Sequence, residues 1–330
     1  MRLPPFECAS PASLEEAINL LGQAAGQARV LAGGTDLLPA MKRRGIAAGL
    51  LVNIKGIAGL KQVSAREDGS TAIGAAVSVN EVTGLTAWPA LAQAASRVAA
   101  WTLRHMGTVG GNLLVDNRCW YYNRSGEWWR GKEQCFKRGG ERCYVFPSGR
   151  QCRAAASSDL VPALVAIGAR VEVQSASGSR LLAVKDLYRA DGAAPHTLEP
   201  GEILTHILLP PCPAGTGSAF IKLARRQTLD FALVNVAAVI SLAEDGRTCR
   251  EASAAVSGSV VAPTPLPVKQ LEGREITTWL LDEVAGEAVK AMGFVTYAGA
   301  MDVPAGYRRQ VAGVLLRRSL EQAWERARNA

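Results

Sequence analysis

Four cysteines, Cys119, Cys135, Cys143 and Cys152, fall in one stretch with 15, 7 and 8 residues between them. Four thiolates suit either one Zn²⁺ or an iron–sulfur cluster. A structural zinc site usually contains a close C-x₂₋₄-C pair, because a tight knuckle presents two ligands to one small ion. No such pair occurs here. Wide spacing suits the larger [4Fe–4S] cubane, whose corner irons need ligands spread around it. Residues 118–153 also carry nine Lys/Arg against three Glu, a net +6 in a chain whose net charge is +8. A cluster on four thiolates is anionic, so this excess would offset its charge and raise its reduction potential. Trp120, Tyr121, Tyr122, Phe136, Tyr144 and Phe146 flank the ligands and could shield them from water. On the residues alone, two further readings stay open: unligated structural cysteines in a solvated basic loop, or a zinc module whose aromatic and arginine side chains stack on bases.

A second chemistry is suggested by two glycine pairs, in Gly33-Gly34-Thr35-Asp36 and in Gly110-Gly111-Asn112. A Gly-Gly at a strand end lets backbone N–H groups approach an anion, and a following helix N-terminus adds its dipole. Two such loops could hold the two phosphates of a dinucleotide. Each could equally be a plain tight turn, since neither matches G-x-G-x-x-G or the Walker A pattern.

The elements that must position these groups follow from periodicity. Ser13 and Glu16 have capping-box spacing ahead of a helix with Leu14, Ala17, Ile18 and Leu21 on one face. Short strands are predicted at 29–32, 50–54 and 71–77, and a long Ala-rich helix from Ser78 or Asn80 to about Trp101. Residues 113–156 break the pattern: eight of the chain's 19 aromatics lie between 118 and 153. Beyond them come a helix at 160–167, with Asp159 near its start, and strands at 170–174 and 202–209. A Pro/Gly-rich break at 210–217 leads to strands at 219–225, 234–242 and 251–256, then helices at about 275–292 and 308–328. The fold class expected is α+β, with divisions at 1–56, 57–212 (interrupted at about 113–156) and 213–330, the last built on a three-stranded sheet.

With 330 residues, 48% hydrophobic and 20% charged, the chain can bury more than one core. No run of 18 uncharged apolar residues appears, so no membrane span is expected. Seven cysteines, an odd number, and no secretory signal pattern disfavour a disulfide framework and point to the cytoplasm.

Leu31-Ala32-Gly33-Gly34-Thr35-Asp36-Leu37, Thr108-Val109-Gly110-Gly111-Asn112-Leu113, Ser158-Asp159-Leu160 and Lys222-Leu223-Ala224-Arg225-Arg226-Gln227-Thr228-Leu229-Asp230-Phe231-Ala232 together resemble the FAD-binding medium subunit of the xanthine dehydrogenase family of molybdenum hydroxylases. The resemblance covers essentially the whole chain and implies a two-part FAD-binding domain of the vanillyl-alcohol-oxidase type plus an α+β C-terminal domain. It implies that Ala32, Gly33, Gly34, Thr35, Asp36, Thr108, Gly110, Gly111 and Asn112 cradle the FAD pyrophosphate and adjoining sugar. It also implies that Asp159 accepts from cofactor hydroxyls, and that Ile203, Leu204 and Lys222 lie near the isoalloxazine. Of His105, His196 and His206, only His105 sits beside a glycine loop, so a histidyl-linked flavin is not expected.

The run Asn117-Arg118-Cys119-Trp120-Tyr121-Tyr122-Asn123 and the spread of the other cysteines look like the insertion of one branch, 4-hydroxybenzoyl-CoA reductase, which binds a [4Fe–4S] cluster. A second branch, the periplasmic aldehyde oxidoreductases, is less similar around the first cysteine. The resemblance implies an electron relay, not active alone on an organic substrate. Its partners would be a molybdenum-cofactor large subunit, a [2Fe–2S] small subunit and a ferredoxin-like carrier, in a dimer of heterotrimers. The reaction implied is reductive dehydroxylation of 4-hydroxybenzoyl-CoA. The same relay would also serve a hydroxylase or dehydrogenase acting on an aldehyde, an N-heterocycle or a steroid. Nucleic-acid binding is not expected, because it leaves the two glycine loops unexplained, and the four cysteines argue against a stand-alone flavin oxidase.

Overall fold

A computed structural model describes residues 2–24 and 26–330. Three sheets follow one another along the chain. The first has parallel strands β1 (Glu7–Ala9), β2 (Ala28–Leu31) and β3 (Leu50–Asn53) in the order β1-β3-β2. Its crossovers are helices α1 (Leu14–Gln23) and α2 (Leu37–Lys42). Ser13 caps α1 by accepting from the Glu16 N–H, and Ala17, Ile18 and Leu21 are buried, as the spacing predicts.

The second sheet is antiparallel, in the order β4-β5-β8-β6-β7: β4 (Val63–Ala65), β5 (Thr71–Gly74), β6 (Arg170–Ser175), β7 (Gly178–Ala183) and β8 (Ile203–Leu209). Between β5 and β6 the predicted long Ala-rich helix is instead three short ones: α3 (Val79–Val82), α4 (Pro89–Ser96) and α5 (Trp101–Met106). Proline at the first position of α4 has no N–H to continue a helix, and Ala99 takes a left-handed turn at φ 43° before α5. Helix α6 (Val109–Leu113) and the short α7 (Gly126–Trp129) follow, then α8 (Val161–Ile167).

The third sheet has four strands rather than the three expected: β9 (Thr216–Leu223), β10 (Val234–Leu242), β11 (Cys249–Ser257) and β12 (Thr264–Leu266), in the order β12-β11-β10-β9. The missed strand is an edge of three residues with proline at its centre, too short to show a period and unable to donate a full ladder. Every residue of β10 is buried. Ala237 and Val239 face a core shared with α4 and α8, whereas Val236, Ala238 and Ile240 face α9 (Thr278–Ala288) and α10 (Ala305–Arg328). The C-terminal sheet is therefore covered on both faces, once by its own helices and once by those of the preceding part. Among the described residues no helix is long and apolar enough to cross a membrane.

Arg308, 1% exposed, lies on α10 with its guanidinium donating to the carbonyls of Val303, Leu233 and Ala300 at 3.2, 3.2 and 2.7 Å. Burial pulls it down to about 10. It pins the loop before α10 to the end of β10. Replacing it with Met leaves one buried and two partly buried carbonyls without donors, and urea unfolding should show a loss of about 1–3 kcal/mol.

His196 pairs with Tyr188 in an isolated bridge, and burial, then the Lys137 ammonium, pull its imidazole from 6.5 down to about 4. The unfolded chain binds a proton near pH 6.5 that the folded chain refuses, so stability falls as pH drops from there to about 4. Between pH 7 and pH 5 this amounts to about 2 kcal/mol. Urea midpoints of His196→Phe should lose part of that pH slope.

Candidate functional site: a flavin cavity and a cysteine cavity

The loop after β2 turns left-handed at Gly34, φ 69°, and enters α2. A Cβ on Gly33 would stand 2.1 Å from the Met106 carbonyl oxygen and 2.8 Å from the Gly107 Cα. The first glycine loop thus lies directly on the backbone leading into the second. Among the described residues the N–H groups of Gly33, Gly34, Thr35 and Asp36 find no protein acceptor. In the second loop Thr108 caps α6 by accepting from the Gly111 N–H at 3.1 Å. The Asn112 side-chain oxygen accepts from Ser158 Oγ at 2.7 Å and from the Leu160 N–H at 3.3 Å, tying α6 to the start of α8.

These loops form the wall of a cavity of about 430 Å³. Ala32, Gly33, Gly34, Thr35, Asp36, Thr108, Gly110, Gly111, Asn112, Asp159, Ile203 and Leu204 all line it. Asp159 does not cap α8 through its side chain. Its carboxylate is 7% exposed and accepts from Lys222 Nζ at 2.6 Å and Asn235 Nδ2 at 2.8 Å, while burial pushes it up against these partners. Lys222 stands one layer behind the cavity wall, donating also to the carbonyls of Arg97 and Asp230. It is a buried cation rather than a solvated one. His105 is exposed, its ring edge-on to Trp101.

Sequence reasoning missed Arg118, Asp116, Leu229 and Phe231, which also line the cavity. Arg118 pairs with Asp36, and its guanidinium lies 4.6 Å from the centre of the Phe231 ring. A basic residue beside the first cysteine was visible; its partner 82 residues earlier was not.

Cys119, Cys135, Cys143 and Cys152 are free, buried and arranged around one small cavity with Tyr121, Tyr122, Phe136, Tyr144, Lys137, Arg142 and Ala154. Nearby backbone N–H groups favour the ionised form of three of the sulfurs: those of Tyr122 and Tyr121 for Cys119, Lys137 and Arg138 for Cys135, and Ala154 for Cys152. Burial nevertheless pushes Cys119 up to about 11 and Cys152 up to about 12. Thiolates form here only against a compensating positive charge, which metal ions supply. Among the described residues no three His, Cys, Asp or Glu side chains are set to hold a single metal ion. The loop before α10 packs beside the cysteines: Ala298 belongs to the same buried cluster as Cys119, Cys143 and Cys152, its carbonyl accepts from the Trp120 N–H at 2.6 Å, and the Tyr297 hydroxyl donates to the Val145 carbonyl at 2.9 Å.

Residues 4–212 match the FAD-binding domain of molybdopterin dehydrogenases, and residues 219–323 match the C-terminal domain of the carbon monoxide dehydrogenase flavoprotein. The chain belongs to this family as an FAD-binding medium subunit of the xanthine dehydrogenase and carbon monoxide dehydrogenase type of molybdenum hydroxylases. It is 31% identical to the carbon monoxide dehydrogenase medium chain of Afipia carboxidovorans over 98% of both chains. It is also 31% identical to the FAD-binding subunit of an aldehyde oxidoreductase of Escherichia coli, over 67% of this chain and 73% of that one. A carbon monoxide dehydrogenase structure from Hydrogenophaga pseudoflava, lacking the Mo-pyranopterin moiety of its cofactor, superposes with a TM-score of 0.79 at 26% identity, covering 99% of both chains. The α+β architecture expected is the one found, apart from the fourth C-terminal strand.

The close approach at Gly33 gives a direct test. Gly33→Val forces the two glycine loops apart and should weaken FAD binding about 10- to 100-fold, or about 1.4–2.8 kcal/mol. Flavin-fluorescence titration of the apoprotein measures this, with circular dichroism as the check on folding; unchanged affinity would show that the contact does not shape the cofactor site.

Proposed function

We propose that the chain relays electrons between FAD, held in the larger cavity, and a [4Fe–4S] cluster, held by Cys119, Cys135, Cys143 and Cys152. The observation that carries this reading is the convergence of four free, buried cysteines on one cavity, with backbone N–H groups close enough to favour the ionised form of three. Such donors favour the ionised sulfur and tune the potential of a bound cluster. Zinc fits less well, because the four cysteines contain no close C-x₂₋₄-C pair.

On this reading the unpartnered N–H groups of residues 33–36, with Thr108 and residues 110–112, receive the FAD diphosphate and its adjoining sugar. Ile203 and Leu204 supply an apolar wall for the ring system. Asp159, anchored by Lys222, offers its remaining lone pairs to cofactor hydroxyls. Bound FAD supplies two-electron chemistry that can be linked to one-electron carriers. The partners proposed are a molybdenum-cofactor large subunit, a [2Fe–2S] small subunit and a ferredoxin-like carrier, in a dimer of heterotrimers in the cytoplasm. Arg138, Arg142 and Lys132, stacked over Trp129, Tyr144 and Trp128, would present the positive face to that carrier.

The relatives are subunits of enzymes named for carbon monoxide and aldehyde oxidation. They favour a molybdenum hydroxylase or dehydrogenase over the reductive dehydroxylation of 4-hydroxybenzoyl-CoA. The second reading keeps the support of the cysteine insertion and its resemblance to that reductase. Turnover of the assembled complex with each substrate class separates the two.

Purified anaerobically, the complex should show a flavin band with a broad iron–sulfur shoulder, and about four irons in this subunit. Cys135→Ser should weaken the shoulder and remove this subunit's roughly four irons while FAD remains. One zinc and no iron would sink the relay; loss of FAD with the iron would make the insertion a folding element first.

A further inference from the structure

Asp116 and Lys137 stand between the two cavities. Asp116 belongs to the wall of the flavin cavity and Lys137 to that of the cysteine cavity. Lys137 Nζ donates to Asp116 Oδ1 at 2.6 Å, and its side chain is 3% exposed against 32% for Asp116. The same ammonium donates to the Gly192 carbonyl at 2.6 Å and lies 5.1 Å from the centre of the Tyr122 ring. Gly192 in turn donates its N–H to the Cys152 carbonyl at 3.1 Å, and Asp191 accepts from the Cys152 N–H at 3.3 Å. Lys137 also sits on the turn Phe136–Arg138 that follows Cys135. One buried cation therefore fixes the segments around two of the four cysteines and is anchored by a carboxylate of the flavin wall. The other basic side chains over the aromatic cover, Lys132, Arg138 and Arg142, belong to exposed or half-exposed residues, where water weakens their fields.

We propose that Lys137, held by Asp116, is the positioning residue that sets the reduction potential of the group bound by the four cysteines, and with it the division of electrons between that group and FAD. The inference rests on the cluster reading above. The event it governs is a one-electron transfer in which the acceptor gains one negative charge and no bond forms or breaks. A buried ammonium beside the acceptor favours the more negative, reduced form and raises its potential. The Asp116 carboxylate opposes that effect. The two side chains must therefore act with opposite signs, which a merely structural pair would not do.

The test is a mediated redox titration of the holo complex, followed by electron paramagnetic resonance, with iron and FAD contents measured on the same samples. Lys137→Gln should lower the cluster potential by at least about 59 mV, a tenfold change in a one-electron equilibrium. Asp116→Asn, which leaves the ammonium in place, should raise it. If Lys137→Gln fails to retain iron, Asp116→Asn decides alone. A wild-type potential in iron-replete Asp116→Asn, or a downward shift, overturns the inference while leaving the cluster intact. A wild-type complex that binds FAD but no iron beyond that of its [2Fe–2S] clusters overturns the cluster reading beneath it.

Discussion

The strand β10 is the constraint from which much of the site geometry follows. All nine of its residues are buried, and its side chains alternate between two cores. A sheet apolar on both faces must be covered on both. The C-terminal helices α9 and α10 cover one face; only the preceding part of the chain, through α4 and α8, covers the other. That docking carries the segment 229–231 to the wall of the larger cavity and the loop 296–300 beside the cysteines. The apolar core thus decides where both cavities close, although few of its side chains touch either one.

Charge fixes what burial leaves loose. Three ion pairs, Asp36–Arg118, Asp116–Lys137 and Asp159–Lys222, each join distant segments at a cavity wall. Desolvation of two charges consumes much of their attraction, so such pairs add little net stability. Their directional hydrogen bonds are what matter here. Lys222 gathers Arg97, Asp159 and Asp230 around one ammonium, and Lys137 gathers Asp116 and Gly192. Asp159–Lys222 is buried on both sides and the other two pairs are half-buried, so each fixes position more than it adds stability.

The local features were readable in the sequence because their causes are local. A Gly-Gly at a strand end, four thiols in one basic aromatic stretch, and Ser13 capping α1 each depend on neighbours a few residues away. The Ala-rich stretch after Ser78 misled for the same reason: composition favoured a helix, while Pro89 and the turn at Ala99 divided it. The edge strands β7 and β12 carry little apolar alternation and gave no signal. The ion pairs at the cavity walls lay beyond reach, since nothing in the residues near Arg118 names Asp36, or near Lys222 names Asp159. The packing of Gly33 against Met106 is equally non-local; the glycine was visible, but the reason for it, a backbone 2.1 Å from its absent Cβ, was not.

The side chains of the basic insertion also bear on its nucleic-acid reading. For stacking on nucleic-acid bases, its aromatic faces and guanidinium groups would have to be free. Instead Arg124 lies over Trp120, Arg138 over Trp129, Arg142 over Tyr144 and Arg153 over Phe294. Tyr121, Trp128, Trp129 and Tyr144 pack ring against ring, and Tyr121 and Tyr144 also line the cysteine cavity. Tyr121, Tyr122, Phe136 and Tyr144 line the thiol cavity, and the cations lie over rings. A layer built this way limits water around the thiols while leaving positive charge on its outer side, as the proposed cluster would require.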